Sequence, residues 1–275
     1  MMRSRRLGGL CALALLGCAS SATQPPAQEA VPQRGLARIA QTGEMRVGTT
    51  GEQPPLTMTA RSGELIGLDV ALTRVLARSM GVEVRFVRLP FHRLLDALEA
   101  GEVDLVVSGM TITPARSLRA TFVGPYYTSG KAILTRSPEL TRVEGPQDLD
   151  RPELRIAALA GSTSEAFTRD SMPRAQLIAA ERVEDAIAKV VSGEADLLVA
   201  DRETCAFAVL RFPEAGLSSP PVTFTIEPMG IAVHPDETRL ARMIESYLES
   251  LEERGALQKA RDFWFRDPSW VSDLR

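Results

Sequence analysis

One octapeptide pattern occurs twice, with five of eight residues identical, and it constrains the architecture more than any other feature of the chain. Gly101-Glu102-Val103-Asp104-Leu105-Val106-Val107-Ser108 returns 92 positions later as Gly193-Glu194-Ala195-Asp196-Leu197-Leu198-Val199-Ala200. Each copy follows a helical pattern and turns into an apolar run that reads as a buried strand. The first strands correspond as well. Arg46-Val47-Gly48 leads to a turn at Gly51, and Arg155-Ile156-Ala157-Ala158 leads to Gly161-Ser162-Thr163-Ser164. Each half therefore reads strand, helix, strand, helix, strand. That alternation predicts parallel sheets with helices on both faces. Two such units predict an α/β chain of two lobes, with strand-end loops facing each other across a cleft.

The punctuation supports this division. Leu68, Leu72, Val75 and Leu76 follow helical spacing before Gly81, and Leu94, Leu95 and Leu98 do so before Gly101. Residues 138–152 form a Pro-containing boundary after a strand at Lys131–Thr135, and Pro220, Pro221 and Pro228 mark a second crossing. Lobe 1 is expected over 39–134 plus 228–275, and lobe 2 over 135–227. The return segment holds a strand at Met229–Val233 and an amphipathic helix at Leu240–Leu251. Two crossings between lobes make a hinge.

Asp104–Tyr127 is the stretch richest in chemistry. Its buried strand opens into Ser108, Gly109, Thr111 and Thr113, then Pro114 and Arg116 at a helix start. Open α/β sheets bind ligands at the carboxyl ends of their strands. Hydroxyls, backbone amides and a planar guanidinium there suit a carboxylate.

The N-terminus reads as an export signal. Arg3, Arg5 and Arg6 precede a short apolar run, Leu7–Gly17, which is too short to span a bilayer. Leu15-Leu16-Gly17-Cys18 resembles the lipobox of bacterial lipoproteins, which implies a signal over 1–17, lipidation at Cys18 and a flexible tether over 18–38. Removing Arg3, Arg5 and Arg6 takes the formal charge from −3 to about −6. With no basic block elsewhere, nucleic-acid binding has no electrostatic support. Of three cysteines only Cys205 remains beyond the signal and the lipid site, so burial rather than a disulfide must hold the fold. A hydrophobic content of 44% is enough for two domains. His92 and His234 stand apart and give no metal-ligand spacing. No cofactor motif is present.

Several segments, in order, resemble the bacterial extracellular solute-binding proteins of family 3, the amino-acid binders of ABC importers. They are Pro54-Pro55-Leu56, Gly67–Leu72, Leu98–Leu105, Ser108–Arg116 and Phe122–Tyr127. The resemblance implies a type II periplasmic-binding fold with a two-crossing hinge. It also implies an amino-acid ligand, a permease partner in the inner membrane, a monomer, and a periplasmic location anchored through Cys18. By the same resemblance, Arg116 clamps the ligand carboxylate with Thr111, Ser162 and Thr163. Asp201 meets the ammonium beside Ser108 and Gly109, and Phe91 packs on the side chain. Gln53 holds a place where relatives often have an aromatic, which favours a polar side chain. Glu52 is positioned to meet a cation.

Other residues read more plainly. Asp104 and Asp196 recur before buried strands as structural cap or turn partners. Cys205 is a small buried residue, and Trp264 and Trp270 pack the last helix. The same fold resembles the periplasmic cyclohexadienyl dehydratases, in which a cleft carboxylic acid protonates a leaving hydroxyl. Glu203 is the candidate acid for that enzyme reading; at the first turn of a helix it is equally suited to the helix dipole. A sensory receptor without import is a third reading.

Overall fold

The computed structural model describes residues 34–274, so the expected signal, Cys18 and most of the tether lie outside the described residues. Helix α1 (Gly35–Thr42) opens the described chain. The tether expected to reach residue 38 therefore ends sooner. Ile39 is buried, and Arg38 donates to both oxygens of Asp104, which draws this turn onto the body.

Strand β1 (Glu44–Thr49) follows, then a short hairpin of β2 (Met58–Thr59) and β3 (Leu65–Ile66). Helix α2 (Leu68–Met80) buries Leu68, Leu72 and Leu76 on one face, at four-residue spacing. Strand β4 (Glu83–Arg88) leads to a 3-10 turn at Phe91–Arg93 and helix α3 (Leu94–Glu99), then β5 (Leu105–Val106). A single helical turn, α4 (Pro114–Ser117), is capped by the Thr113 hydroxyl and precedes β6 (Thr121–Ser129).

Strand β7 (Lys131–Thr135) begins one residue later. The second half then runs β8 (Arg155–Leu159), α5 (Thr163–Ser171), β9 (Gln176–Ala180), α6 (Val183–Ser192), β10 (Leu197–Asp201) and α7 (Arg202–Arg211). Strand β11 (Glu227–Val233), α8 (Thr238–Glu253) and α9 (Ala256–Arg266) complete it, followed by a 3-10 segment, Pro268–Leu274.

Two sheets form, in the orders β4-β1-β5-β11-β6 and β7-β10-β8-β9. The repeat is visible in them: β1 lies parallel to β4 and β5, and β8 lies parallel to β9 and β10. The sheets are not wholly parallel as expected. Strand β11 runs antiparallel to β5 and β6, and β7 antiparallel to β10. Parallel strands in each lobe end at the cleft. A strand that arrives from the other lobe starts at the cleft, so it must run the opposite way. Strand β7, inside the span expected of lobe 1, accordingly pairs in the second sheet; Gly130 alone separates it from β6.

The two crossings lie side by side. Phe224 donates its amide to the Lys131 carbonyl at 2.8 Å, and the Lys131 amide donates to the Thr225 hydroxyl at 3.0 Å. The fold is that of a type II periplasmic binding protein, two α/β lobes on a two-crossing hinge with a cleft between them. Helix α8 buries Leu240, Ile244 and Leu248 against the first sheet, each leucine contributing about 1.5–3 kcal/mol.

Asp104 and Asp196 are twin staples. Asp104 accepts the Arg46 amide at 2.8 Å and its guanidinium at 2.9 Å; Asp196 accepts the Arg155 amide at 2.8 Å and its guanidinium at 2.7 Å. Each ties the first strand of its repeat, β1 or β8, to the strand of the repeated octapeptide. Burial pushes the Asp104 carboxyl up, but Arg38 and Arg46 outweigh it and hold the group below its ordinary value.

Candidate functional site

The cleft is closed around a small cavity of about 20 Å³. From the first half of the chain it is lined by Gln53, Phe91, Gly109 and Thr111; Ser162, Thr163 and Asp201 face them from the second. Seven of the nine expected ligand-binding residues therefore share one cavity. Arg116 sits at its edge, and Ser108 lies fully buried behind it.

Arg116 follows from the capped turn of α4, which projects its guanidinium towards the second lobe. It donates to the Thr111 carbonyl at 3.0 Å and, across the cleft, to the Gly161 carbonyl at 3.2 Å. Its guanidinium carbon lies 5.3 Å from the centre of the Phe91 ring, a cation–π contact. Burial lowers its pKa, against the pull of Glu227 and Asp201. Among the described residues no carboxylate forms an ion pair with it. Thr111 meets Thr163 at 3.4 Å between hydroxyl oxygens, so the two lobes touch at the centre of the cleft.

Other expected contacts are committed elsewhere. Ser108 accepts the Thr50 amide at 3.0 Å and donates to the Gln53 side-chain oxygen at 2.9 Å. The Gly109 amide donates to Asp69 at 2.7 Å, and the Tyr126 hydroxyl donates to the same carboxylate at 2.8 Å. Asp69 is buried, and burial pushes its carboxyl up to about 6 against the pull of Tyr126 and Gly109. It shapes the loop from beneath; its place in the Gly67–Leu72 segment was the only signal for it. Ser162 caps α5, accepting the Ser164 and Glu165 amides at 3.1 and 3.2 Å. Glu52 pairs with Arg182 of the opposite lobe at 2.7 Å. His92 faces the second lobe too, at 3.2 Å from Glu181.

Two residues that sequence reasoning missed complete the cavity's charges. Lys131 donates to Asp201 at 2.6 Å, and Glu227 lies 3.6 Å from the same ammonium. Burial pushes the Asp201 carboxyl up, with Lys131 opposing. Burial also raises Glu227, but Lys131 and the hydroxyls of Thr225, Thr111 and Thr163 outweigh it and hold it low. Neither residue had a motif; their meeting depends on strand pairing.

Glu203 points elsewhere. Its carboxylate accepts from Tyr127, Ser129 and Arg202, and it lines a separate groove with Tyr127, Phe265 and Arg261. Among the described residues no group of His, Cys, Asp and Glu is arranged to hold a metal.

Cyclohexadienyl dehydratase of Pseudomonas aeruginosa is 27% identical over 255 residues, 93% of this chain and 92% of that protein. ABC transporter arginine-binding protein 1 of Escherichia coli is 25% identical over 225 residues, 81% and 90%. Among solved structures, an ancestral amino acid-binding protein, a precursor of cyclohexadienyl dehydratase, superposes with TM-score 0.78 at 31% identity, covering 84% of this chain and 99% of that one. A putative ABC-transporter binding component from Wolinella succinogenes, complexed with lysine, gives TM-score 0.80 at 28% identity, with the same coverage. The model of the bacterial extracellular solute-binding proteins, family 3, matches residues 45–267, and the chain belongs to that family.

Proposed function

We propose that this protein is the substrate-binding component of an ABC importer, capturing a free amino acid or similar small zwitterion by hinge closure. The observation that carries the reading is Arg116. It is a desolvated guanidinium with carbonyl partners from both lobes and, among the described residues, no carboxylate paired with it. A ligand carboxylate supplies the missing charge and favours the closed state through its contacts to both sides. The arginine-binding, glutamine-binding and histidine-binding names among its relatives agree with this class. Gln53, Phe91, Thr111, Thr163 and Asp201 would surround the ligand, and the polar Gln53 favours a polar side chain. In this reading the chain works as a monomer outside the inner membrane, held by lipid on Cys18 and presenting ligand to a permease. Its lobes divide near the hinge strands, about 39–130 plus 228–275 and 131–227.

The reading also treats the chain as a binding protein rather than an enzyme. The dehydratase relative keeps the alternative open to test, but Glu203 is turned into a set of three partners away from the cavity. Calorimetry of the purified protein against the twenty standard amino acids tests the main proposal. Micromolar or tighter binding of at least one is expected, and silence across the set would sink it. Incubation with prephenate or arogenate is expected to yield no aromatic product.

A further inference from the structure

The cavity already contains an ammonium group. Lys131 opens β7 and lies directly opposite Asp201 in the antiparallel pairing with β10. Its backbone is held at the hinge by Phe224 and Thr225. Its side chain is 2% exposed, and the ammonium has Asp201 at 2.6 Å and Glu227 at 3.6 Å. Such a group does not swing aside to admit a ligand, because moving it would leave a buried charge without its partners.

The charges around the cavity are Arg116 and Lys131 against Asp201 and Glu227. Lys131 serves both carboxylates; Glu227 also accepts the hydroxyls of Thr163 at 3.0 Å and Thr225 at 2.7 Å. A ligand carboxylate finds Arg116. A ligand ammonium at Asp201 finds a carboxylate already neutralised, with a like charge at its side.

We propose that Lys131 is a specificity-determining residue: it occupies the ammonium position at Asp201, so the cleft takes small carboxylates whether or not they carry an α-amino group. The class then includes 2-hydroxy and 2-oxo acids beside amino acids. The inference rests on the reading that Arg116 receives a ligand carboxylate.

The test compares L-glutamate with 2-oxoglutarate, L-leucine with its 2-hydroxy and 2-oxo counterparts, and L-phenylalanine with phenyllactate and phenylpyruvate, by calorimetry on the full chain, extended to the counterparts of any other standard amino acid that binds. For the wild type, at least one deaminated acid is expected to bind within about tenfold of its amino acid. Lys131→Gln, which keeps a donor for Asp201 without the charge, should raise the preference for the amino acid to a hundredfold or more. In Lys131→Met combined with Asp201→Asn that preference should disappear again. Amino acids binding a hundredfold better than their counterparts in the wild type would overturn the role of Lys131 and leave the amino-acid reading intact. Failure of both classes to bind the wild type would overturn the carboxylate site itself.

Discussion

Arg116 reaches across the cleft to the main chain of Gly161, donating to its carbonyl at 3.2 Å while holding the Thr111 carbonyl of its own lobe at 3.0 Å. A cation that joins two lobes through neutral carbonyls is stabilised by an anion placed between them. Arg116→Ala should therefore remove about 3–5 kcal/mol of ligand binding, at least a hundredfold in affinity. Arg116 is partly buried and makes no ion pair among the described residues, so the ligand-free melting temperature should move by about 2 °C or less. Calorimetry beside thermal melts checks both, and full affinity in the variant would refute the assignment.

Gly161 is the other half of that contact. Its φ is +71°, and a Cβ there would stand 2.7 Å from the Cβ of His92 in the opposite lobe. Gly161→Ala should cost about 1–2 kcal/mol of stability from the left-handed backbone. It should also keep the lobes from closing fully. A fall of about tenfold or more in ligand affinity is expected, since a ligand shifts the hinge only by its preference for the closed state. Denaturant unfolding and calorimetry separate the two effects.

The twin staples differ in burial, and their mutants should differ accordingly. The Asp104 side chain is fully buried beneath two arginines, whereas that of Asp196 is 29% exposed beside one. Asp104→Ala should destabilise by about 3–5 kcal/mol, and Asp196→Ala by about 1 kcal/mol. Urea titrations of both variants give the comparison.

The same staple predicts a pH dependence. Asp104 is held below its ordinary value of 3.8, so the stability it contributes is present above that value and is lost as the folded group protonates. The difference in unfolding free energy between wild type and Asp104→Asn should be flat near neutrality and shrink as pH falls below about 4.

Asp69 has the opposite sign. Its carboxyl is raised from 3.8 to about 6, so its favourable term is full below 3.8 and is lost as pH rises through 6. Relative to Asp69→Asn, the wild type should lose roughly 2 kcal/mol between pH 4 and pH 7. A difference that grew over this range would show that the Gly109 and Tyr126 donors outweigh burial.

The repeated octapeptide was enough to read two α/β units, because buried strands and glycine-ended helices are local patterns. Helix α2 ends at Gly81, where the backbone turns left-handed at φ +68°, a conformation glycine adopts without strain. The loop around Arg116 was legible for a similar reason: proline, threonine and arginine at a strand exit carry their chemistry in a few adjacent residues. What the residues between could not disclose was the partner of each polar group. Ser108, Gly109 and Ser162 looked like donors for a ligand, yet Gln53, Asp69 and the Leu159 carbonyl take them, since a donor bonds whatever folding brings near. The direction of β7 and β11 was also invisible, because it depends on which side of the cleft a crossing strand enters. Sequence alone determined two lobes, a hinge and, on one of them, the loop proposed here to receive a carboxylate. Only the tertiary structure decided that Lys131, 70 residues from Asp201, faces it across a strand pair and neutralises it in the cleft, because electrostatic pairing is set by distance in space and not by distance along the chain.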